Sequence, residues 1–245
     1  MAFLSLFNND LVSDENCRDS TMSNFPTAFL TRTPAIEILY ADDALLVLDK
    51  PSGLLAVPGR GADKQDCLSA RVQARYADAL VVHRLDMATS GLMVMARGLA
   101  AQRALSRAFA AREVTKHYVA IVAGRLEAPP GGWGTIDLPI AVDWPNRPRR
   151  MIDHRLGKPS FTRWRVLAID ETGTCTRVEL EPVTGRSHQL RVHLRELGHP
   201  ILGDTLYAPP DVQARAGRLL LHACGLHVAH PLSGEALAFE SLPPF

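Results

Sequence analysis

The chain has 245 residues, 47% of them hydrophobic, and a formal net charge of +1 from 27 basic and 26 acidic side chains. That length and apolar content suffice to bury a substantial core, so one catalytic domain is expected, and the near-neutral total excludes a protein that holds polyanions by bulk charge. No apolar run approaches the roughly 18 residues of a membrane-spanning helix, and the 4 widely separated cysteines, with no Cys-x-x-Cys pair, fit reduced thiols in a cytoplasmic protein.

Residues 1–33 are polar, with Asn8, Asn9, Asp10, Ser13, Asp14 and Glu15 and then Thr21-Met22-Ser23-Asn24, and they hold no sustained hydrophobic period. A poorly ordered leader is expected there, with Met22 as a second candidate start. The opening Ala2–Phe7 lacks the basic region and length of a secretory signal. Short strands follow: Ile36–Tyr40 and Leu45–Leu48 flank a hairpin turn at Ala41-Asp42-Asp43-Ala44. Val81-Val82 and Leu92–Ala96 predict two buried strands, and the turn between them presents Asp86 at a sheet edge, with Gly91 supplying backbone freedom. Taken alone, that pattern also suits an Asp that hydrogen-bonds its own turn.

Leu99–Arg112 is rich in helix formers, with Leu105 and Phe109 one turn apart on a core face. Arg103 and Arg107 share a face with no acid to pair with, which suits phosphate contact or a plain exposed surface. His117–Val122 alternates as a strand and places Tyr118, Ala120 and Val122 on one side. Further strands are predicted at Gly134–Ile140, Phe161–Ala168, Thr176–Leu180, Leu219–His227 and Ala236–Phe239, and a second helix at Gln189–Leu197, stopped by Gly198. Many strands with segregated helices predict an α+β domain on a mixed, largely antiparallel sheet.

Charge is uneven along the chain. Between Arg147 and Arg165 stand Arg147, Arg149, Arg150, Arg155, Lys158, Arg163 and Arg165 against Asp153 alone. Such a stripe can hold phosphates, Arg147, Arg149 and Arg150 first among them, or be a solvated loop. His188 with His193, and His222 with His227, are each five apart, which places neither pair on one helical face, and no Cys or acidic partner completes a zinc pattern; no metal is expected. His83, His188 and His193 are expected to orient backbone or neighbouring side chains. A hydrolase built on Ser90 or Ser187 with His83 or His188 is disfavoured, because neither serine lies in a Gly-x-Ser-x-Gly elbow.

Four segments, in order, resemble the RluA-type family of RNA pseudouridine synthases. They are Leu48-Asp49-Lys50-Pro51-Ser52-Gly53-Leu54; His83-Arg84-Leu85-Asp86 with Thr89-Ser90-Gly91-Leu92; Lys116-His117-Tyr118-Val119-Ala120; and Thr184-Gly185-Arg186-Ser187-His188-Gln189-Leu190-Arg191-Val192-His193 with Gly198-His199-Pro200-Ile201-Leu202-Gly203-Asp204. The likeness runs from about Ile36 to Phe245 and departs at Asp49, where the family usually has Asn. Asp143-Trp144-Pro145-Asn146-Arg147-Pro148, Gly157-Lys158-Pro159 and Val57-Pro58-Gly59-Arg60 are similar to the family's dual-specificity branch, which acts on 23S ribosomal RNA and on tRNA anticodon stem-loops.

The resemblance implies a pseudouridine synthase fold with a central RNA-binding cleft, and a catalytic domain over residues 34–245 with no room before it for an S4-type RNA-binding domain. It implies an isomerase that needs no cofactor, metal or membrane, and a monomer is expected. Asp86 would be the essential catalytic residue, as nucleophile or as base. Arg186 would be its cationic partner, Tyr118 would stack on the flipped base, Arg84 would enter the gap the base leaves, and Leu190 would form the apolar wall. A noncatalytic RNA-binding module of the same fold is the alternative; a replaced Asp would mark it, and Asp86 is present.

Overall fold

The computed structural model describes residues 36–245; the expectations for the leader, including Cys17 and Met22, lie outside the described residues. The first hairpin joins β1 (Glu37–Ala41) to β2 (Leu45–Lys50). Its turn is set by Asp42, whose Oδ1 accepts the amides of Ala44 at 2.7 Å and Leu45 at 2.8 Å. Then follow α1 (Leu68–Gln73), β3 (Ala79–Val81), β4 (Ser90–Arg97), α2 (Gly98–Ala111) and β5 (Thr115–Ala123). The second half holds β6 (Gly134–Asp137), β7 (Ile140–Val142), β8 (Arg150–Ile152), β9 (Phe161–Ile169), β10 (Cys175–Pro182), α3 (Gln189–Glu196), α4 (Pro210–Gln213), β11 (Leu221–Ala229) and β12 (Ala236–Glu240).

These strands make a mixed 10-stranded sheet in the order β1-β2-β4-β11-β5-β10-β9-β6, with β12 on β11 and β3 on β4, while β7 and β8 form a separate ribbon. Among the described residues β4 with β11 is the parallel pair; the other pairings are antiparallel. The predicted α+β architecture is therefore the observed one.

The sequence of β2 and β4 explains their central place. Leu45, Val47, Leu92 and Val94 face one side and pack with Leu105 of α2, and Leu46, Leu48, Met93 and Met95 face the other and pack with Leu68 and Val72 of α1. A strand covered on both faces must be apolar throughout rather than alternating, and each such side chain contributes about 1.5–3 kcal/mol by leaving water. The third cluster joins Tyr118, Ala120 and Val122 of β5 to Val178 and Leu180 of β10 and to Leu190 and Leu194 of α3, which is the face predicted for β5.

Two sequence expectations need correction. The Asp86 turn leads into β4, which lies between β2 and β11, so it opens off an interior strand and not off a sheet edge. The strand predicted over Gly134–Ile140 breaks into β6 and β7 at Leu138-Pro139, where proline has no amide to give a ladder. The short α1, α4 and β8 were not predicted, because 6, 4 and 3 residues do not display a period. Gly91 is required for a stronger reason than turn freedom: its φ is 108°, and a Cβ there would lie 2.3 Å from the Ala223 carbonyl oxygen on β11. The parallel β4–β11 contact closes only because that atom is missing.

His83 continues β4's pairing where β3 stops. Its Nε2 accepts the Val94 amide at 3.0 Å, and its ring stacks on Phe109 at 4.5 Å. An accepting Nε2 requires the neutral ring, and burial, helped by Lys116, pushes its pKa down to about 3 from 6.5. Between those values the unfolded chain binds a proton on this ring and the folded chain does not, so stability falls as pH drops below about 6.5. His83→Gln keeps an acceptor without the titration. A melting series from pH 7 to pH 4 is expected to show a shallower decline for this variant than for the wild type; parallel declines would show that His83 is not held neutral.

Candidate active site

A cleft of about 480 Å³ opens where the Asp86 turn, the C-terminal end of α2, β5 and the Thr184–Arg191 segment converge. Arg84, Asp86, Tyr118, Arg186 and Leu190 all line it. So do Arg112, Lys116 and Arg191, which leaves Asp86 the one carboxylate facing a set of cations. Such a cleft focuses positive potential on whatever enters, and a polyanionic chain is the natural guest.

The Asp86 turn is clamped from β2. Lys50 is fully buried, and its Nζ donates to the carbonyls of Pro51 at 2.9 Å, Leu54 at 2.8 Å and Met87 at 3.1 Å. Gly53 N–H also donates to Met87 at 2.8 Å, Ser52 Oγ donates to Ala88 at 2.7 Å, and Thr89 N–H closes back on Asp86 at 3.1 Å. The Lys50-Pro51-Ser52-Gly53 segment is thus a bracket for the residues that follow Asp86. Burial pushes the Lys50 ammonium down to about 8, with Asp86 pulling the other way. Its sequence motif was visible, but its task was not.

The expected Asp86–Arg186 pair does not form. Arg186 lines the cleft from the turn before α3, but it is an exposed residue whose Nε donates to the Pro159 carbonyl at 3.3 Å. Its turn is fixed by buried Gln189, whose Oε1 accepts from Thr184 Oγ at 2.8 Å and from the Arg186 amide at 3.0 Å. The carboxylate of Asp86 is instead faced by Arg191 Nη1 at 3.7 Å and His188 Nε2 at 4.0 Å. Arg191 is two residues into α3 beyond Gln189, and helix geometry turns its side chain inward, where that of Arg186 stays outside.

Arg191 is held by Asp204, which is wholly buried: Nε donates to Oδ2 at 2.8 Å and Nη2 to Oδ1 at 2.6 Å. Asp204 Oδ1 also accepts the amides of Leu206 at 2.9 Å and Tyr207 at 3.1 Å, and the Tyr207 ring lies 5.0 Å from the guanidinium. Burial opposes the Arg191 charge, and the contacts to Asp204, with Asp86 adding to them, more than restore it. Tyr207 accepts the Arg150 amide at 2.8 Å and meets His188 Nδ1 at 2.6 Å. Burial lowers the His188 pKa, with Asp86 pulling the other way. His188 has φ 59°, a left-handed backbone seldom adopted by residues other than glycine. Arg191 and Asp204 both stand inside the quoted motifs, yet nothing in the sequence says that they meet.

The other residues fall into place around this pair. Tyr118 is 9% exposed; burial, with Asp86 next in effect, raises its pKa and keeps the phenol protonated. Leu190 packs beside it, with Leu85 and Leu221, as an apolar wall. Arg84 is exposed at the rim, and its Nη2 reaches Ser187 Oγ at 3.3 Å across the opening. His193 is an orienting residue, with Nδ1 at 2.9 Å from Thr162 Oγ1 and Nε2 at 3.0 Å from the Leu138 carbonyl.

Of the outer cations, Arg103 and Arg107 are exposed on α2 and do not line the cleft. The basic stripe divides. Arg163 and Arg165 are neutralised across the sheet by Glu181 at 2.8 Å and Glu179 at 2.5 Å, whereas Arg147, Arg149 and Arg150 sit on the β7–β8 ribbon and make no ion pair among the described residues.

Removing Arg191 would leave Asp204 buried and unpaired, so Arg191→Ala is expected to lower stability by about 3–5 kcal/mol. Arg186→Ala is expected to stay within about 0.5 kcal/mol of wild type. Chemical denaturation of the two variants measures this; a larger loss for Arg186→Ala would overturn the assignment of the buried pair.

Residues 44–196 match the family model described as RNA pseudouridylate synthase. The chain is 49% identical over 212 residues to the dual-specificity RNA pseudouridine synthase RluA of Escherichia coli (strain K12), covering 86% of this chain and 95% of the relative. It is 49% identical over 203 residues to the protein of the same name from Yersinia pestis, covering 83% and 97%. A solved structure of human RNA pseudouridylate synthase domain containing 1 superposes with a TM-score of 0.71 at 30% identity, covering 86% of this chain and 84% of that one. The clamped carboxylate, its buried guanidinium and the basic cleft thus lie in a chain that belongs to the RNA pseudouridylate synthase family.

Proposed function

We propose that this enzyme isomerises specific uridines to pseudouridine in structured loops of both 23S ribosomal RNA and the anticodon stem-loop of tRNAs, with Asp86 as the catalytic carboxylate. The observation that carries this reading is the Asp86 carboxylate held in a basic cleft 3.7 Å from a guanidinium that is itself locked in place. The dual target is supported by relatives that match over nearly their full length and are named dual-specificity RNA pseudouridine synthases.

The reaction breaks the N1–C1′ bond, turns the uracil and joins C5 to C1′, after which C5 gives up its proton and N1 carries one, with no redox step and no phosphoryl transfer. The carboxylate acts by attack on C1′ or by taking a proton from the sugar, and either route needs it ionised inside a cleft from which RNA displaces water. Arg191 supplies the opposing charge and the bracket at Lys50 supplies the orientation. Tyr118 and Leu190 bound a slot for the uracil, so the detached base stays beside C1′ while it turns. The target must leave its stack to get there, which costs a few kcal/mol, and stacking on Tyr118 returns roughly 1–3 kcal/mol. Arg84, at the rim, fills the place vacated in the loop. Arg103, Arg107, Arg147, Arg149 and Arg150 contact phosphates, and RNA is chosen by loop shape and unstacked bases. Action on both RNAs places the enzyme in the cytoplasm.

Tritium release from RNA labelled at C5 of uridine tests the assignment on a ribosomal hairpin and on an anticodon stem-loop. Wild-type protein is expected to release tritium from both and Asp86→Asn from neither. Release by Asp86→Asn at the wild-type rate would remove Asp86 from the chemistry, and release from one RNA alone would refute the dual target.

A further inference from the structure

Beside the Asp86 cleft lies a second hollow of about 630 Å³ that the chemistry above does not use. It is lined by the apolar side chains of Ile140, Val142, Trp144, Met151 and Leu156 and by the cations Arg150, Lys158 and Arg186, with Asp153 among them. Gly185 and Arg186 line both this hollow and the Asp86 cleft, so the two share a wall.

Trp144 is 66% exposed and Leu156 69%, a costly display of apolar surface for side chains with no core to serve. The turn that carries the tryptophan is nevertheless fixed. Asp143 N–H donates to the Arg149 carbonyl at 3.2 Å, Asn146 Nδ2 bridges both oxygens of Asp143 at 3.1 Å, and Arg147 lies 4.5 Å from the Trp144 ring. On the other side Asp153 Oδ1 accepts the amides of Arg155 at 2.8 Å and Leu156 at 3.0 Å. Both nearby carboxylates are thereby committed to the ribbon's own turns, while none of Arg147, Arg149, Arg150, Arg155, Lys158 and Arg186 forms an ion pair among the described residues. The result is a fixed aromatic face set among unneutralised cations.

We infer that this hollow is a second base-binding site, in which Trp144 stacks on an unstacked nucleobase of the RNA loop whose target uridine occupies the Asp86 cleft. An aromatic face takes any base, and the surrounding guanidinium and ammonium groups take the phosphates on either side of it. Continuity through Arg186 makes the two sites adjacent along one strand. The inference deepens the RNA-isomerase reading and rests on it. It gives specificity a physical source, because a loop must splay out two bases at the right separation to fill both sites.

Binding is read separately from turnover. Affinity for an anticodon stem-loop is measured by titration of Asp86→Asn protein, alone and with Trp144→Ala or Trp144→Phe. Trp144→Ala is expected to weaken binding about tenfold or more, Trp144→Phe to stay within about threefold, and the salt dependence to keep its slope, since no phosphate contact is lost. Abasic replacement of each loop nucleotide in turn should reveal one position, distinct from the target, whose loss costs nothing further in Trp144→Ala. Binding by Trp144→Ala within twofold of its parent, or additive losses at every loop position, would overturn the proposal. So would capture of an acidic peptide in the hollow with RNA affinity indifferent to Trp144. A protein that releases no tritium yet binds RNA through Trp144 would contradict the proposed activity and leave this site standing.

Discussion

One guanidinium, buried and shared between two carboxylates, is the interaction around which the site is built. Arg191 gives its Nε and Nη2 to Asp204 and leaves Nη1 facing Asp86 at 3.7 Å. Desolvating either partner costs several kcal/mol, and the pair is tolerated because its geometry is bidentate and Asp204 Oδ1 is met in addition by the amides of Leu206 and Tyr207. Lys50, the other buried cation near Asp86, completes a local balance of Arg191 and Lys50 against Asp86 and Asp204. Neither cation is free to swing toward solvent, so the field at Asp86 is fixed before RNA arrives. Such preorganisation is the form of electrostatic catalysis that needs no rearrangement at the moment of reaction.

The sheet exists, in functional terms, to bring these groups together. Asp86 lies in the turn that leads into β4 and Tyr118 on β5, and β11 separates the two strands by one position. Gly91 lets β4 meet β11 there, so the width between carboxylate and tyrosine depends on a missing methyl group. The Lys50 bracket comes from the end of β2, and Arg191 from the first turn of α3, whose Leu190 and Leu194 are anchored in the core of β5 and β10. Each chemical group is carried by a rigid element, while the surfaces expected to meet RNA phosphates, the β7–β8 ribbon and the rim at Arg84, stand outside the sheet.

Much of this was legible in the sequence, for identifiable reasons. Continuous apolar runs marked β2 and β4, alternation marked β5, and Gly198 marked the end of α3, since each is a local pattern with a local cause. Arg84, Asp86, Tyr118, Arg186 and Leu190 share one cleft, although Arg186 is not the partner of Asp86 that was expected. What the sequence could not give was the partner of Asp86: Arg186 and Arg191 lie within the same ten residues, and which one turns inward depends on the rotation of α3 and on Asp204, a residue from a separate loop. The basic stripe misled for a similar reason. Arg163 and Arg165 look unpaired in their own neighbourhood, but the β9–β10 register sets them opposite Glu181 and Glu179.

The charge and the shape of Arg191 can be separated by Arg191→Lys, which keeps a cation and loses the planar fork that engages Asp204 and Asp86 together. The most direct test is the single-turnover rate of this variant at saturating RNA, with its affinity measured alongside. A fall of about a hundredfold or more, with affinity nearly unchanged, is expected if the fork orients the catalytic carboxylate. A wild-type rate in the lysine variant would contradict it.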